Sequence, residues 1–71
     1  MSFIQSILFD KKKWSIPEAI NWLELHGHEH YKIDITKDKY RFRQYNPQPE
    51  EYYRTIKIGH RGIEFIIGFE K

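Results

Sequence analysis

Ser15-Ile16-Pro17-Glu18 constrains this chain more than any other stretch, because it is a helix entrance and no other segment carries one. Ser15 and Glu18 have capping-box spacing. The serine oxygen can accept from an orphan amide of the first turn, and the glutamate can reach back to the Ser15 amide. Pro17 falls in that first turn, where its missing N–H costs nothing. Trp14 sits just before the cap, placed to pack on Ala19 as a hydrophobic staple. Ile16, Ala19, Ile20 and Leu23 then form one apolar stripe with Trp22 at its edge, and Gly27 is placed to end the helix in a left-handed cap. Together these signals predict a single helix over residues 16–26.

Everything else runs with a period of two, the signature of strands. Residues 3–10 alternate imperfectly, with Phe3, Gln5, Ile7 and Phe9 on one side and Ile4, Ser6, Leu8 and Asp10 on the other. Apolar residues on both sides suit a well-covered strand. Tyr31, Ile33 and Ile35 alternate with Lys32, Asp34 and Thr36. Lys37-Asp38-Lys39 reads as a turn, and alternation resumes over Tyr40–Tyr45 to complete a hairpin. Asn46-Pro47-Gln48-Pro49 is a loop. Tyr52–Ile58, a turn at Gly59–Gly62 and Ile63–Glu70 form a second hairpin, whose last strand puts Ile63, Phe65, Ile67 and Phe69 on one face. The predicted fold is α+β, order β-α-β-β-β-β, with one helix packed on a mostly antiparallel sheet and a single domain over residues 1–71.

Composition narrows the function classes. A chain of 71 residues buries only about 60% of the surface its unfolded form exposes, so oligomerisation is a natural supplement to its core. Aromatic residues make up 17% of it, and a few of these can supply much of a small core. The absence of cysteine excludes disulfides and thiolate metal sites. A net charge of +2, with both signs interleaved, falls well short of the asymmetry that announces a nucleic-acid binder. No apolar run approaches membrane-spanning length. The first ten residues have neither the basic segment nor the cleavage site of a signal peptide, so the expected location is cytosolic or nuclear.

Two clusters carry chemistry on paper. His26, His28 and His30 alternate, and alternate histidines on a strand can share a metal with His60 as a fourth ligand. Gly27 at a helix cap would send those rings in different directions, and histidine near a helix C-terminus has a plain use against the macrodipole. A solvated His-rich turn is therefore preferred, with no metal or other cofactor expected. The second cluster is Arg41 and Arg43 on one strand face with Tyr45 beside them, joined by Lys32 and Lys57 and by Tyr53. Basic groups mixed with aromatic ones on an open sheet can hold phosphates and stack bases. Asp34, Glu64 and Glu70 fall at comparable positions and can pair with those arginines across strands, so a solvated face of paired charges outweighs the nucleic-acid reading. Lys11, Lys12 and Lys13 can touch phosphate, but such a run more often only keeps a loop soluble. No serine has a base at useful spacing, and so small a chain has little room for a water-excluding pocket. No enzyme activity is expected.

Taken together, Ile4–Asp10, the W-S-I-P-E-A-I-N-W-L stretch from Trp14 to Leu23, Tyr40-Arg41-Phe42-Arg43-Gln44 with Pro47, and Tyr53-Arg54-Thr55-Ile56 before Gly68-Phe69 resemble a small uncharacterised domain of tailed bacteriophages and large DNA viruses. That domain is found alone or beside head-maturation proteins, and the resemblance covers nearly the whole chain. It brings no catalytic residues. It implies a noncatalytic viral structural or accessory protein, located in the virion or in the cytoplasm or nucleus of an infected cell, whose partners are capsid proteins or genome DNA. The expected working form is a homodimer acting through protein contacts, since strand edges in so short a sheet can pair across a two-fold axis. The alternative is a DNA- or RNA-binding module using Arg41, Arg43, Lys32, Lys57 and Tyr45.

Overall fold

A computed structural model describes residues 2–70, apart from the side chain of Glu70. Its elements run β1 (Ser2–Asp10), α1 (Ile16–Leu25), β2 (Ile33–Ile35), β3 (Lys39–Arg43), β4 (Glu51–Ile58) and β5 (Ile63–Glu70). All pairings are antiparallel, and the sheet order is β2-β3-β1-β5-β4. The α+β fold, with one helix on an antiparallel sheet, is the one the sequence predicts. The apolar residues on both sides of β1 have their explanation in its central place.

The helix begins as its sequence dictates. Ser15 Oγ accepts from the Glu18 amide at 3.3 Å, and Glu18 Oε1 accepts from the Ser15 amide at 3.0 Å, closing the capping box. That bond to the Ser15 backbone, followed by the one to its side chain, holds the Glu18 carboxyl below its ordinary pKa. At the other end the His28 amide donates to Leu23 O at 2.9 Å and the Gly27 amide to Glu24 O at 3.2 Å. This is the double bond pattern of a Schellman cap, and it requires the left-handed φ of +73° that Gly27 supplies. The helix therefore ends at Leu25, with His26 as its cap.

Two rungs of the sheet form the floor under the helix. One runs Ile35, Tyr40, Phe9, Ile63, Ile58 and the other Ile33, Phe42, Ile7, Phe65, Ile56, each crossing all five strands. Ile7, Phe9 and Phe42 are wholly buried in the middle of those rungs, with Ala19 and Leu23 of the helix above them. Phe9 meets three other aromatic rings edge to face: Trp14 at 5.0 Å, Trp22 at 5.7 Å and Phe42 at 5.7 Å. Trp14 is also held by the β4–β5 turn, where its indole N–H donates to Arg61 O at 2.7 Å.

β1 departs from simple alternation at Gln5. The register with β5 slips between Ile4 and Ser6, so Ile4 faces Ile67 while Ile7 faces Phe65. One extra residue reverses the parity of the strand. Ile4 thereby joins Ile7 and Phe9 on the helix side, and Phe3 falls on the opposite side, reversing the faces read from the sequence for these two residues. The bulge is pinned by its own polar groups: Gln5 O accepts from the Gln44 amide at 2.7 Å, and Gln5 Nε2 donates to Tyr45 O at 2.8 Å. Ser6 Oγ donates to Gln5 Oε1 at 2.6 Å. Boundaries shift elsewhere too. Lys39 belongs to β3 rather than the turn, and Tyr31, Gln44 and Tyr45 lie outside the strands.

Ser15→Ala is expected to lower unfolding stability by about 1 kcal/mol in urea titration, and Ser15→Asp to restore most of it. Equal stability of Ser15→Ala and the parent would show that the cap does not hold the helix entrance.

Candidate interaction surface

A helix ten residues long is about 15 Å in length and 10 Å across, whereas five strands span about 19 Å between outer axes. It cannot cover them all, and side-chain exposure traces its footprint. Along the first rung, burial is complete at Phe9, 3% of Ile63 is accessible, and exposure rises to 38% at Ile58 on β4 and 61% at Ile35 on β2. On the second rung Ile7 is wholly buried and Ile56 on β4 is 45% exposed. Ile56, Ile58 and Tyr52 therefore make an apolar strip on β4, on the helix side of the sheet but beyond the helix. Arg54 interrupts it and lies over the Phe69 ring at 5.9 Å from its centroid. Beside that ring is an open hollow of about 590 Å³ bounded by Tyr52, Tyr53, Arg54 and Phe69.

The other face is polar and internally paired. Asp34, Arg41, Leu8, Glu64 and Lys57 form one rung across all five strands. Asp34 Oδ2 accepts from Arg41 Nη2 at 3.1 Å and lies 2.9 Å from Arg43 Nε. The Arg43 Nε–H does not point along that vector, so the second contact is an ion pair without a hydrogen bond. Glu64, expected to pair with the arginines, instead meets Lys39 Nζ at 2.6 Å. Leu8 stands between Glu64 and Arg41, whereas the Lys39 ammonium reaches the carboxylate diagonally. The Glu64 hydrogen bond raises the Lys39 pKa. The remaining carboxylate of the expected set, Glu70, has its side chain outside the described residues.

Of the basic and aromatic residues singled out from sequence, the structure brings together Arg41, Arg43 and, just before β2, Lys32, whose carbonyl accepts from the Arg43 amide at 2.9 Å. Lys57 shares the face, but β1 and β5 separate it from Arg41, about 14 Å at ordinary strand spacing. Tyr45 lies past the end of β3. Its ring meets Phe3 edge-on at 6.2 Å, and its hydroxyl donates to Glu51 Oε1 at 3.3 Å, an oxygen that also takes the Tyr53 hydroxyl at 3.0 Å. Burial and then the Glu51 charge push the Tyr45 hydroxyl pKa up. Gly68 lies beneath, where a Cβ would collide with the Tyr45 hydroxyl and come within 3.1 Å of Tyr53 Cε1. In the basic run before the helix, Lys13 Nζ donates to His60 O at 3.1 Å and Lys11 Nζ lies 5.6 Å from the centre of the Tyr40 ring.

The histidines turn back against the C-terminal part of the helix. His26 stacks on Trp22 at 4.0 Å, with its Nδ1 2.8 Å from Trp22 O. His28 lies nearly parallel to the same indole at 6.0 Å and edge-on to Phe65 at 6.3 Å. His30 turns to Glu24, 3.5 Å away. Among the described residues no three His, Asp or Glu side chains gather as a metal site would require. Nor, among them, is any helix long and apolar enough to cross a membrane. The β4 strip was missed from sequence; its only available signal was the same-side spacing of Tyr52, Ile56 and Ile58 along the strand. Comparison with protein-family models, curated proteins and solved structures finds no match.

Burial lowers the His28 pKa, with a smaller contribution from the charge of His26. The folded state thus favours neutral His28, and this stability is present above the unfolded pKa of about 6.5 and is lost as pH falls through the depressed folded value. Urea midpoints are expected to decline as pH falls below about 6.5, and His28→Gln to flatten that decline. An unchanged pH profile in His28→Gln would refute the assignment. Asp34→Ala leaves two guanidiniums without their shared acceptor. It should cost about 1 kcal/mol or less, since all three side chains are roughly one-third exposed.

Proposed function

We propose that this protein is a noncatalytic accessory module that works through protein contacts and associates with itself. The observation that carries this reading is the apolar strip on β4, left uncovered by the one helix at the margin of an eight-residue outer strand. Exposed apolar side chains concentrated on one strand mark an interaction surface more often than a scattered set does. Ser6, the serine nearest the middle of the sheet, is buried with its hydroxyl committed to Gln5, and Ser15 is committed to the helix cap. The viral setting, with capsid proteins or the genome as further partners, rests on the sequence resemblance alone.

Sedimentation velocity from 1 to 100 µM tests self-association, in the concentration range about which a small interface is expected to dissociate (~10 µM). A sedimentation coefficient that rises with concentration is the expected result; a monomer throughout would overturn it.

A nucleic-acid reading keeps one specific support. Arg41 and Arg43 share a single carboxylate, so their pair carries a residual positive charge, and Lys32 is exposed beside them. On this reading, binding to a generic duplex weakens steeply between about 50 and 200 mM salt and disappears in the Arg41→Ala/Arg43→Ala double variant. Absence of a mobility shift at low ionic strength eliminates it.

A further inference from the structure

We infer that the self-association proposed above runs through β4, which pairs antiparallel with β4 of a second copy about a two-fold axis at Thr55. The inference rests on that reading and adds the edge and the register.

The sheet has two outer strands, and they differ in what they offer. β2 is three residues long, and its only interior residue, Asp34, is engaged by both arginines of β3. β4 is eight residues long, pairs on one side with β5, and has no strand on its other side among the described residues. A long outer strand with exposed apolar side chains is a template for a further strand, unless charge or a bulge blunts it. No register shift interrupts the β4–β5 pairing from Glu51 to Ile58. Pro47 and Pro49 lie before the strand rather than in it.

Symmetry then selects the register. A two-fold axis perpendicular to the sheet keeps each face on its own side, so residues placed opposite each other must differ by an even number. With the axis at Arg54, the two Arg54 side chains oppose each other, and like charges in that position destabilise a strand pair. At Ile56 only residues 54–58 of each strand overlap. At Thr55 the overlap extends over residues 52–58 and opposes no like charges. Thr55 then faces its own copy, a favourable cross-strand pair. Ile56 faces the second copy's Arg54, whose aliphatic stem can cover it. Ile58 faces the second copy's Tyr52, at the margin of the hollow beside Phe69, which has room for an isoleucine side chain. The strip that the helix leaves bare is thus covered by its own counterpart. The product is a ten-stranded sheet with β2 at both ends. The association closes as a dimer because each copy contributes the only long outer edge among its described residues.

The absence of cysteine makes the register directly readable by disulfide trapping. Across the proposed axis the Thr55 Cα atoms lie about 4.5–5.5 Å apart, within disulfide reach. Lys57 faces the second copy's Tyr53, which puts the two Lys57 positions more than about 13 Å apart. Under mild oxidation at 50 µM or so, Thr55→Cys is expected to form covalent dimer at least about tenfold faster than Lys57→Cys or Ile35→Cys, the last reporting on β2. Thr55→Lys should lose the sedimenting dimer while keeping the parent's circular dichroism spectrum. Fast trapping through Lys57→Cys or Ile35→Cys overturns the register or the edge. A sedimenting dimer that none of the three variants traps overturns the β4 pairing and leaves self-association standing. A monomer at every concentration removes both proposals.

Discussion

The rest of the structure is organised around the burial of Phe9. Its ring lies in the middle of the central strand, and three aromatic partners converge on it from separate parts of the chain. Trp14 comes from the helix entrance, Trp22 from the helix itself and Phe42 from β3. Each edge-to-face pair is worth about 0.5–1.5 kcal/mol beyond the area it buries. In a domain this small, that cluster is a large part of what holds helix to sheet. It also fixes where the helix can sit, since moving the helix toward either outer strand would draw Trp22 and Leu23 off the buried centre of the sheet.

That placement has consequences at both margins. A helix seated over the middle strands leaves β4 and β2 outside its cover, and the two strands meet exposure differently. β2 is short and carries a paired aspartate, so its exposed Ile35 stands alone. β4 presents Ile56 and Ile58 together on a long outer strand. The polar face has the opposite character. Asp34 draws in Arg41 and Arg43, and Glu64 draws in Lys39, so most of its charge is spent within the sheet. Electrostatic pairing quietens one face, while incomplete cover leaves the other with apolar surface to bury.

The bulge at Gln5 shows how one residue redirects a face. Without it, Ile4 would point away from the helix and Phe3 toward it. With it, Ile4 extends the apolar floor, and Phe3 is left to meet Tyr45 on the opposite side. Tyr45 is thereby occupied: its ring is against Phe3, its hydroxyl on Glu51, and Gly68 makes way beneath it. A tyrosine that looked from sequence like a base-stacking platform beside the arginines is an end-cap of the sheet. The three alternate histidines are similarly occupied, two lying parallel to the Trp22 indole and the third beside Glu24.

The sequence by itself determined everything set by neighbours a few residues apart. The helix entrance at Ser15, its stop at Gly27, the number of strands, their alternation outside the start of β1 and the antiparallel hairpins all follow from local hydrogen bonding and side-chain period, which are written in consecutive residues. The membership of the basic face in Arg41, Arg43 and Lys57 was legible for the same reason, since parity within a strand is local. Tertiary structure decided what depends on distant parts of the chain meeting. The strand order that makes β1 central, the slip at Gln5, the choice of Lys39 as the partner of Glu64 and the bare strip on β4 are all of this kind. No local pattern encodes how far a ten-residue helix reaches across a five-stranded sheet. That limit, a matter of width and packing, separates the buried isoleucines from the exposed ones.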